Sequence, residues 1–464
     1  MMFAQQSELF TLVLLPHCVP SSLPVRKYNR WRPPPSAEGA ILTVIVFTSV
    51  VSWAAPIQRI TIGTSTNTLV DQDGRTRFFH GINAVYKGPP YIPIIDSFDS
   101  QRSLSYRDFE LMRSWGLNLI RLGVMWPGVE PDRGLYNNTY LDHVSDIIST
   151  AASYDIFTIV DFHQDVLSQK YCGEGARLLG LKHDWGNYYF TFAASEAFQS
   201  LYDNVDGRAD ALARYWAQLA ETFKGMDSII GMHLFNEPFA GDIFRHPFLL
   251  IPGLATRYNL QPLYDRLAKA IYEALDPAAF HYYNPPNIGD IHRYIKDKVD
   301  LAASMGVPTI LTETWLDKNL PAVADLLDSH LVSYACSEYK TFGGYDVDGV
   351  CTGCIPGPFT TNGTVDEDIV NIVARTYALA VSGRALVNQF FSSNSSFVLE
   401  FEPNTAISAP TIVYVPFSRH YKNGHNIVLT PAEAKYEIFS DHIEVSIKND
   451  TTISSTVRLE IHSL

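Results

Sequence analysis

Leu234-Phe235-Asn236-Glu237-Pro238-Phe239 closes an apolar run that begins near residue 229. The run reads as a buried parallel strand, and the proline turns the chain out of the sheet because it cannot extend the ladder. That leaves an amide and a carboxylate at the C-terminal mouth of a strand, where a (β/α)8 barrel carries its chemistry. A second apolar run, residues 308–311, ends in Thr312-Glu313. Two glutamates on two strand ends point to the carboxyl pair of a glycoside hydrolase.

Strand and helix patterns alternate around these ends. Strands are predicted over 78–83, 119–124, 157–163, 229–236, 281–284, 309–313 and 333–339. Helices are predicted between them, over 106–115, 141–154, 209–223, 263–275 and 291–305. Apolar strands alternating with helices give a parallel sheet with helices outside, the α/β pattern of a TIM barrel. The pattern yields seven strands rather than eight. Leu275-Asp276-Pro277 runs almost directly into His281-Tyr282-Tyr283, so the barrel is expected to lack one strand near residue 277. An open barrel would present an unpaired parallel edge. After a helix expected over 369–381 come short runs at 397–401, 411–415, 436–440, 442–447 and 457–461. They read as a small antiparallel β-sandwich. The expected organisation is a leader region over 1–55, a catalytic barrel domain over 56–383 and a C-terminal sandwich over 384–464.

The chain has 464 residues and a net charge of -14, which argues against a nucleic-acid partner. Arg26, Lys27, Arg30 and Arg32 precede an apolar stretch over 40–55, and Ser52-Trp53-Ala54 has the spacing of a signal peptidase site. The stretch is short for a membrane span, so a cleaved signal is expected, with an uncleaved anchor as the alternative. Asn137, Asn362, Asn394 and Asn449 begin glycosylation sequons. Together these predict the secretory pathway, with a secreted or lysosome-like destination. Outside the leader stand Cys172, Cys336, Cys351 and Cys354. Disulfides are expected rather than zinc, with the pairing left open. There is no P-loop or dinucleotide fingerprint, and no cofactor or metal is expected.

Retaining glycosidases need one carboxyl group to donate and then accept a proton, and another to attack the anomeric carbon. Glu237 fits the acid/base and Glu313 the nucleophile. The plainer readings are a helix-start carboxylate for Glu237 and a solvated loop acid for Glu313. Asn236 could bond a sugar 2-hydroxyl. Asp161, His163 and Asp165 alternate at a strand end and share one side. They fit sugar hydroxyls better than a metal, whose other ligands would have to come from elsewhere. Arg121 could pair with Glu313 and keep it ionised, or serve a structural ion pair. Tyr283 stands where a phenol could reach Glu313, or is a core tyrosine.

Several runs resemble the endoglycoceramidase branch of glycoside hydrolase family 5. They are His80-Gly81-Ile82-Asn83 with Lys87 and Pro89-Pro90, the run from Ile120 to Trp126, and the run from Asp161 to Asp165. Cys172-Gly173-Glu174-Gly175, Phe235-Asn236-Glu237-Pro238, His281-Tyr282-Tyr283 and Leu311-Thr312-Glu313 match as well. In the tail, residues 375–383 and 409–415 extend the match. The resemblance implies a retaining hydrolase that cuts between ceramide and the glucose or oligosaccharide of a glycosphingolipid, without a cofactor. It implies Glu237 as acid/base and Glu313 as nucleophile. Lys87, Asp161, His163, Asp165, Asn236 and Tyr283 would bind the sugar.

Three features depart from that family. Thr314-Trp315 follows Glu313 where the family has Phe-Gly. Tyr334 and Ser337 stand where its last strand carries tryptophans, one of them a floor under the glucose. The missing strand is the third. Two rival functions follow: a family 5 endo-β-glucanase acting on soluble glycans, and an inactive glycolipid-binding protein. The loop over 239–252 is unusually apolar and could line a ceramide channel, touch a membrane surface, or fold onto the barrel rim. A monomer is expected.

Overall fold

The computed structural model describes residues 10–13, 57–63, 66–167, 189–271, 278–281, 288–340, 342, 357–360, 362–447 and 456–464. Seven strands pair in parallel where they adjoin: His80–Ala84, Leu119–Gly123, Phe157–Asp161, Ile229–His233, Ala278–His281, Thr309–Trp315 and Ser333–Ser337. Six of the expected strands overlap the observed ones, and the barrel is α/β as expected; the strand expected over 281–284 is observed at Ala278–His281, and residues 282–284 lie outside the described residues.

The expected open edge is not. The gap between Ile229–His233 and Ala278–His281 is filled by Phe10–Val13, which closes the barrel. It runs antiparallel to both neighbours, with Leu12 facing His233 and Phe10 facing Ala279. Two facing strand edges offer rows of unpaired N–H and C=O groups, and a short β-prone segment satisfies both. Four residues inside a region read as a leader give too little periodicity to be seen in the sequence.

Helices cover the barrel. Asn138–Ser153 shows why they form where they do. Asn137 caps it by accepting from the Tyr140 amide, and Leu141, Val144, Ile147, Ile148 and Ala151 form its buried stripe.

Two further sheets follow. One orders Ala434–Ile438, His442–Ile447, Thr411–Tyr414, Tyr377–Val381, Thr76–Arg77, Leu69–Val70 and Thr61–Ile62. The other orders Gly383–Phe391, Ser396–Pro403, Val457–Ser463 and His425–Thr430. Residues expected as one helix over 369–381 divide instead. The helix is Glu367–Val373, and Tyr377–Val381 is a wholly buried strand. A short run that is apolar throughout fits either period, and sheet pairing decides it.

The β-sheets are fastened to the N-terminal end of the barrel, away from Glu237 and Glu313. The Tyr377 hydroxyl donates to Gly116 O at 2.8 Å, and the Tyr414 hydroxyl to Ser114 O at 3.0 Å. Gly116 has φ +78°, and a Cβ there would collide with the Tyr414 ring. Arg375 is buried with Asp325 and Asp328, each 2.7 Å away.

Cys336 is a free buried thiol, pushed up to about 12 by burial, so it takes no part in the expected disulfides. The other four cysteines lie outside the described residues, as does the apolar stretch over 40–55. Among the described residues, no helix is long and apolar enough to cross a membrane.

Candidate active site

Arg121 is the hub of the barrel mouth. The Leu119–Gly123 strand carries its side chain to the barrel axis, where it is fully buried. Nη1 lies 2.8 Å from Glu313 Oε2 and 3.2 Å from Asn83 Oδ1. Nη2 lies 2.7 Å from Asn236 Oδ1 and 2.8 Å from Asp161 Oδ1. One guanidinium thus joins four strand ends. A buried charge is tolerated only with such partners. Arg121 thus contacts Glu313, as one reading expected, and also makes a buried ion pair with Asp161.

Asp161 ends the Phe157–Asp161 strand and is wholly buried. It also meets His233 Nδ1 at 2.6 Å and His163 Nδ1 at 2.9 Å. Burial alone would raise its pKa. Arg121 and the two histidines outweigh burial and hold the carboxyl well below its ordinary range. Burial and Lys87 press His163 toward neutrality, but bonding to Asp161 and the charge of Asp165 push it up to about 9. His163 Nε2 is 3.7 Å from Asp165 Oδ2, an ion-pair separation without a hydrogen bond. Lys87 Nζ is 2.6 Å from the same oxygen. Against the opposing effect of burial, this pairing depresses Asp165 and raises Lys87. Asp161, His163 and Asp165 therefore converge as the alternation predicted, and Lys87 joins them through Asp165. Arg121 and Lys87 supply the positive charge, and no metal-site group of three His, Cys, Asp or Glu occurs among the described residues.

Asn236 and Glu237 lie three and four residues beyond their strand, which ends at His233 rather than at residue 236. Neighbouring chain still holds them. Asn236 N donates to Phe162 O at 2.9 Å, and Asn236 Nδ2 to Gln164 O at 3.0 Å. Gln164 Nε2 returns a bond to Asn236 O at 2.5 Å. Glu237 has φ +39°, a strained conformation for a residue with a Cβ. Such strain costs about 1–3 kcal/mol and collects at functional sites. Glu237 is half-buried at the mouth, and Glu313 is buried.

Four contributors were not anticipated: Asn83, Gln164, His233 and Glu338. Glu338 follows the Ser333–Ser337 strand as Glu237 follows its own, while Glu313 lies two residues before the end of Thr309–Trp315, and placement at a strand mouth was the available signal. Burial pushes its carboxyl up to about 7, with Lys87 opposing and Glu313 reinforcing. Tyr283 and residues 172–175 lie outside the described residues. Tyr334 is not in the mouth. Its ring packs 4.4 Å from that of His80, on the helix side of the barrel.

Of the loop over 239–252, Phe239, Ile243 and Leu249 fold inward, while Phe244, Phe248, Leu250 and Ile251 are exposed. The Phe244 ring stacks on exposed Phe192 at 3.9 Å.

A family model described as Cellulase (glycosyl hydrolase family 5) matches residues 97–274. The Glycoside hydrolase family 5 C-terminal domain matches residues 375–461. The chain is 34% identical over 445 residues to an endoglycoceramidase of Cyanea nozakii, covering 81% of this chain and 88% of the relative. It is 33% identical over 476 residues to an endoglycoceramidase of Hydra vulgaris, covering 87% of this chain and 91% of the relative. Endo-glycoceramidase II from Rhodococcus sp. shares the fold, with a TM-score of 0.65 at 20% identity over 86% of this chain and 99% of that one. From barrel mouth to C-terminal sheet, the chain belongs to the endoglycoceramidase group of glycoside hydrolase family 5.

Proposed function

We propose that this protein is a retaining glycosidase that cuts the β-glycosidic bond between ceramide and the glucose or oligosaccharide of a glycosphingolipid. The observation that carries the reading is the Arg121 bridge, which holds Glu313 and the Asn236-Glu237 strand end on one guanidinium. Glu313 attacks the anomeric carbon while Glu237 protonates the departing ceramide oxygen. Glu237 then takes a proton from water, which releases the sugar from Glu313. The counter-charge of Arg121 favours the ionised form that a nucleophile needs. Lys87, Asp161, His163, Asp165, Asn236 and Tyr283 bind the sugar. The Asp161–His163–Asp165–Lys87 chain is largely buried and prearranged, so little reorganisation is needed when sugar hydroxyls replace water.

The exposed face of Phe244, Phe248, Leu250 and Ile251 supports a lipid-facing role for the loop after Glu237. It would meet the ceramide or the membrane surface that holds it. Exposure of Asn137, Asn362 and Asn394 is compatible with glycosylation and a secretory route.

Release of ceramide from a fluorescent glycosphingolipid tests the function. The intact chain should release ceramide, leave soluble cellulose uncut and yield the sugar with retained anomeric configuration. Glu237→Gln and Glu313→Gln should each lose most of that turnover. Cleavage of cellulose alone would establish the glucanase instead. Lipid binding with no turnover, unchanged in Glu237→Gln, would establish a binding protein.

A further inference from the structure

Register and alternation fix which way the side chains of the last two barrel strands point. His80 packs against Tyr334 and Tyr377, with Nε2 3.8 Å from Asp328 on the covering helix Leu320–Ser329. His80 and its register partner Tyr334 thus face the helices. Alternation turns Asn83, Ala335 and Ser337 toward the barrel axis. Asn83 confirms this by meeting Arg121 there.

Ser337 is the register partner of Trp315 on the neighbouring strand, and the strands are joined beyond it by Leu316 N donating to Ser337 O at 2.9 Å. Trp315 therefore faces the axis as well. It lies two residues after Glu313, whose contact with Arg121 puts it on that same face. Trp315 is half-buried, at the mouth end of its strand. The facing position carries only the small Ser337 side chain, which leaves the indole the larger share of the space between the strands.

We propose that Trp315 is the aromatic platform on which the sugar ring bonded to Glu313 stacks. The proposal rests on the reading of Glu313 as the residue that engages the anomeric carbon. Pyranose rings present an apolar face of C–H groups, and an indole offers a broad flat surface with little conformational entropy to lose. A platform two residues beyond the nucleophile on the same face holds the ring without touching the reacting bond. It is a specificity feature, supplied by the strand that also carries the carboxylate.

The test is binding of the glucose-configured iminosugar isofagomine to the full chain, measured by calorimetry beside ceramide release. Trp315→Phe keeps an aromatic face, and Trp315→Leu keeps apolar bulk without one. The Phe variant should bind close to wild type, and the Leu variant about tenfold more weakly. Adding Ser337→Trp to the Leu variant should recover affinity, because the restored indole projects into the same space. Equal binding by the Phe and Leu variants at unchanged thermal midpoints overturns the platform, whatever the turnover. A clear Phe–Leu difference in a chain that never releases ceramide upholds the platform and overturns the catalytic reading. Failure of the wild type to bind the iminosugar overturns both.

Discussion

Arg121 Nη1 holds Glu313 Oε2 at 2.8 Å while Nη2 of the same side chain holds Asn236 Oδ1 at 2.7 Å. The planar group therefore sets the spacing between the strand end that carries Glu313 and the one that leads into Glu237. Asp161 anchors it from behind, at 2.8 Å.

A lysine cannot make both contacts, because its charge is a single point on a flexible stem. Arg121→Lys should fold and lose about 10²-fold in kcat/KM, the scale expected when reacting groups are misplaced by an ångström. Arg121→Ala leaves buried carboxylates without a partner and should cost about 3–5 kcal/mol. Kinetics and denaturant unfolding separate the two effects. A lysine variant with wild-type kcat/KM would remove the spacing argument.

His163 makes stability fall on the alkaline side. Its pKa is about 9 in the fold against an ordinary 6.5, so the folded protein keeps a proton that the unfolded chain releases. The associated stabilisation is complete below pH 6.5 and disappears as pH rises through 9. It is on the order of 3 kcal/mol. Asp161 and Asp165 act in the opposite window: their depressed pKa values stabilise the fold above about pH 4 and stop doing so in acid. Above the Glu338 ionisation, unfolding free energies from pH 8 to 10 should decline more steeply for the wild type than for His163→Gln. A level wild-type curve would contradict the assignment.

Glu338 should appear in the pH profile of turnover. With its carboxyl near 7, it is protonated in mild acid and adds a negative charge beside Glu313 above neutrality. The profile of kcat/KM should contain one ionisation near pH 7 that Glu338→Gln removes, while the variant stays active in mild acid. An unchanged profile in Glu338→Gln would assign that ionisation elsewhere.

The barrel should depend on Phe10–Val13. Removing residues 1–20 leaves the edges of Ile229–His233 and Ala278–His281 without their partner. The expected penalty is about 1–3 kcal/mol for each buried backbone group that water cannot reach. Thermal unfolding and turnover of the truncated chain should both fall. Equal stability and activity after truncation would show that the seam closes without it.

Much of the site was legible because its chemistry sits at strand ends. Apolar runs that stop at Asp161, Asn236-Glu237 and Thr312-Glu313 announce both the strands and the groups at their mouths. Arg121 was visible as a charge inside an apolar strand. What was hidden depends on partners far away in sequence. Asn83 and His233 resemble ordinary strand polar residues until Arg121 and Asp161 are brought against them. Gln164 matters through backbone bonds, which leave no side-chain signature. Tyr377–Val381 is a strand only because Thr411–Tyr414 and Thr76–Arg77 lie beside it. The expected loss of an aromatic floor also read differently once Ser337 was seen opposite Trp315, which no single run of sequence could reveal.

The antiparallel closing strand has a consequence for how the chain is made. Phe10–Val13 leaves the ribosome before any other part of the barrel, yet its two partners are synthesised only after residues 14–228 and 14–277 have followed. Its pairing is among the most non-local contacts in the molecule, so it forms late and slowly. Until then the nascent barrel carries an exposed seam between Ile229–His233 and Ala278–His281. A chain that loses its first residues before the seam closes keeps that open edge, whereas a chain that folds first hides it, so the yield of closed barrel depends on the order of the two events.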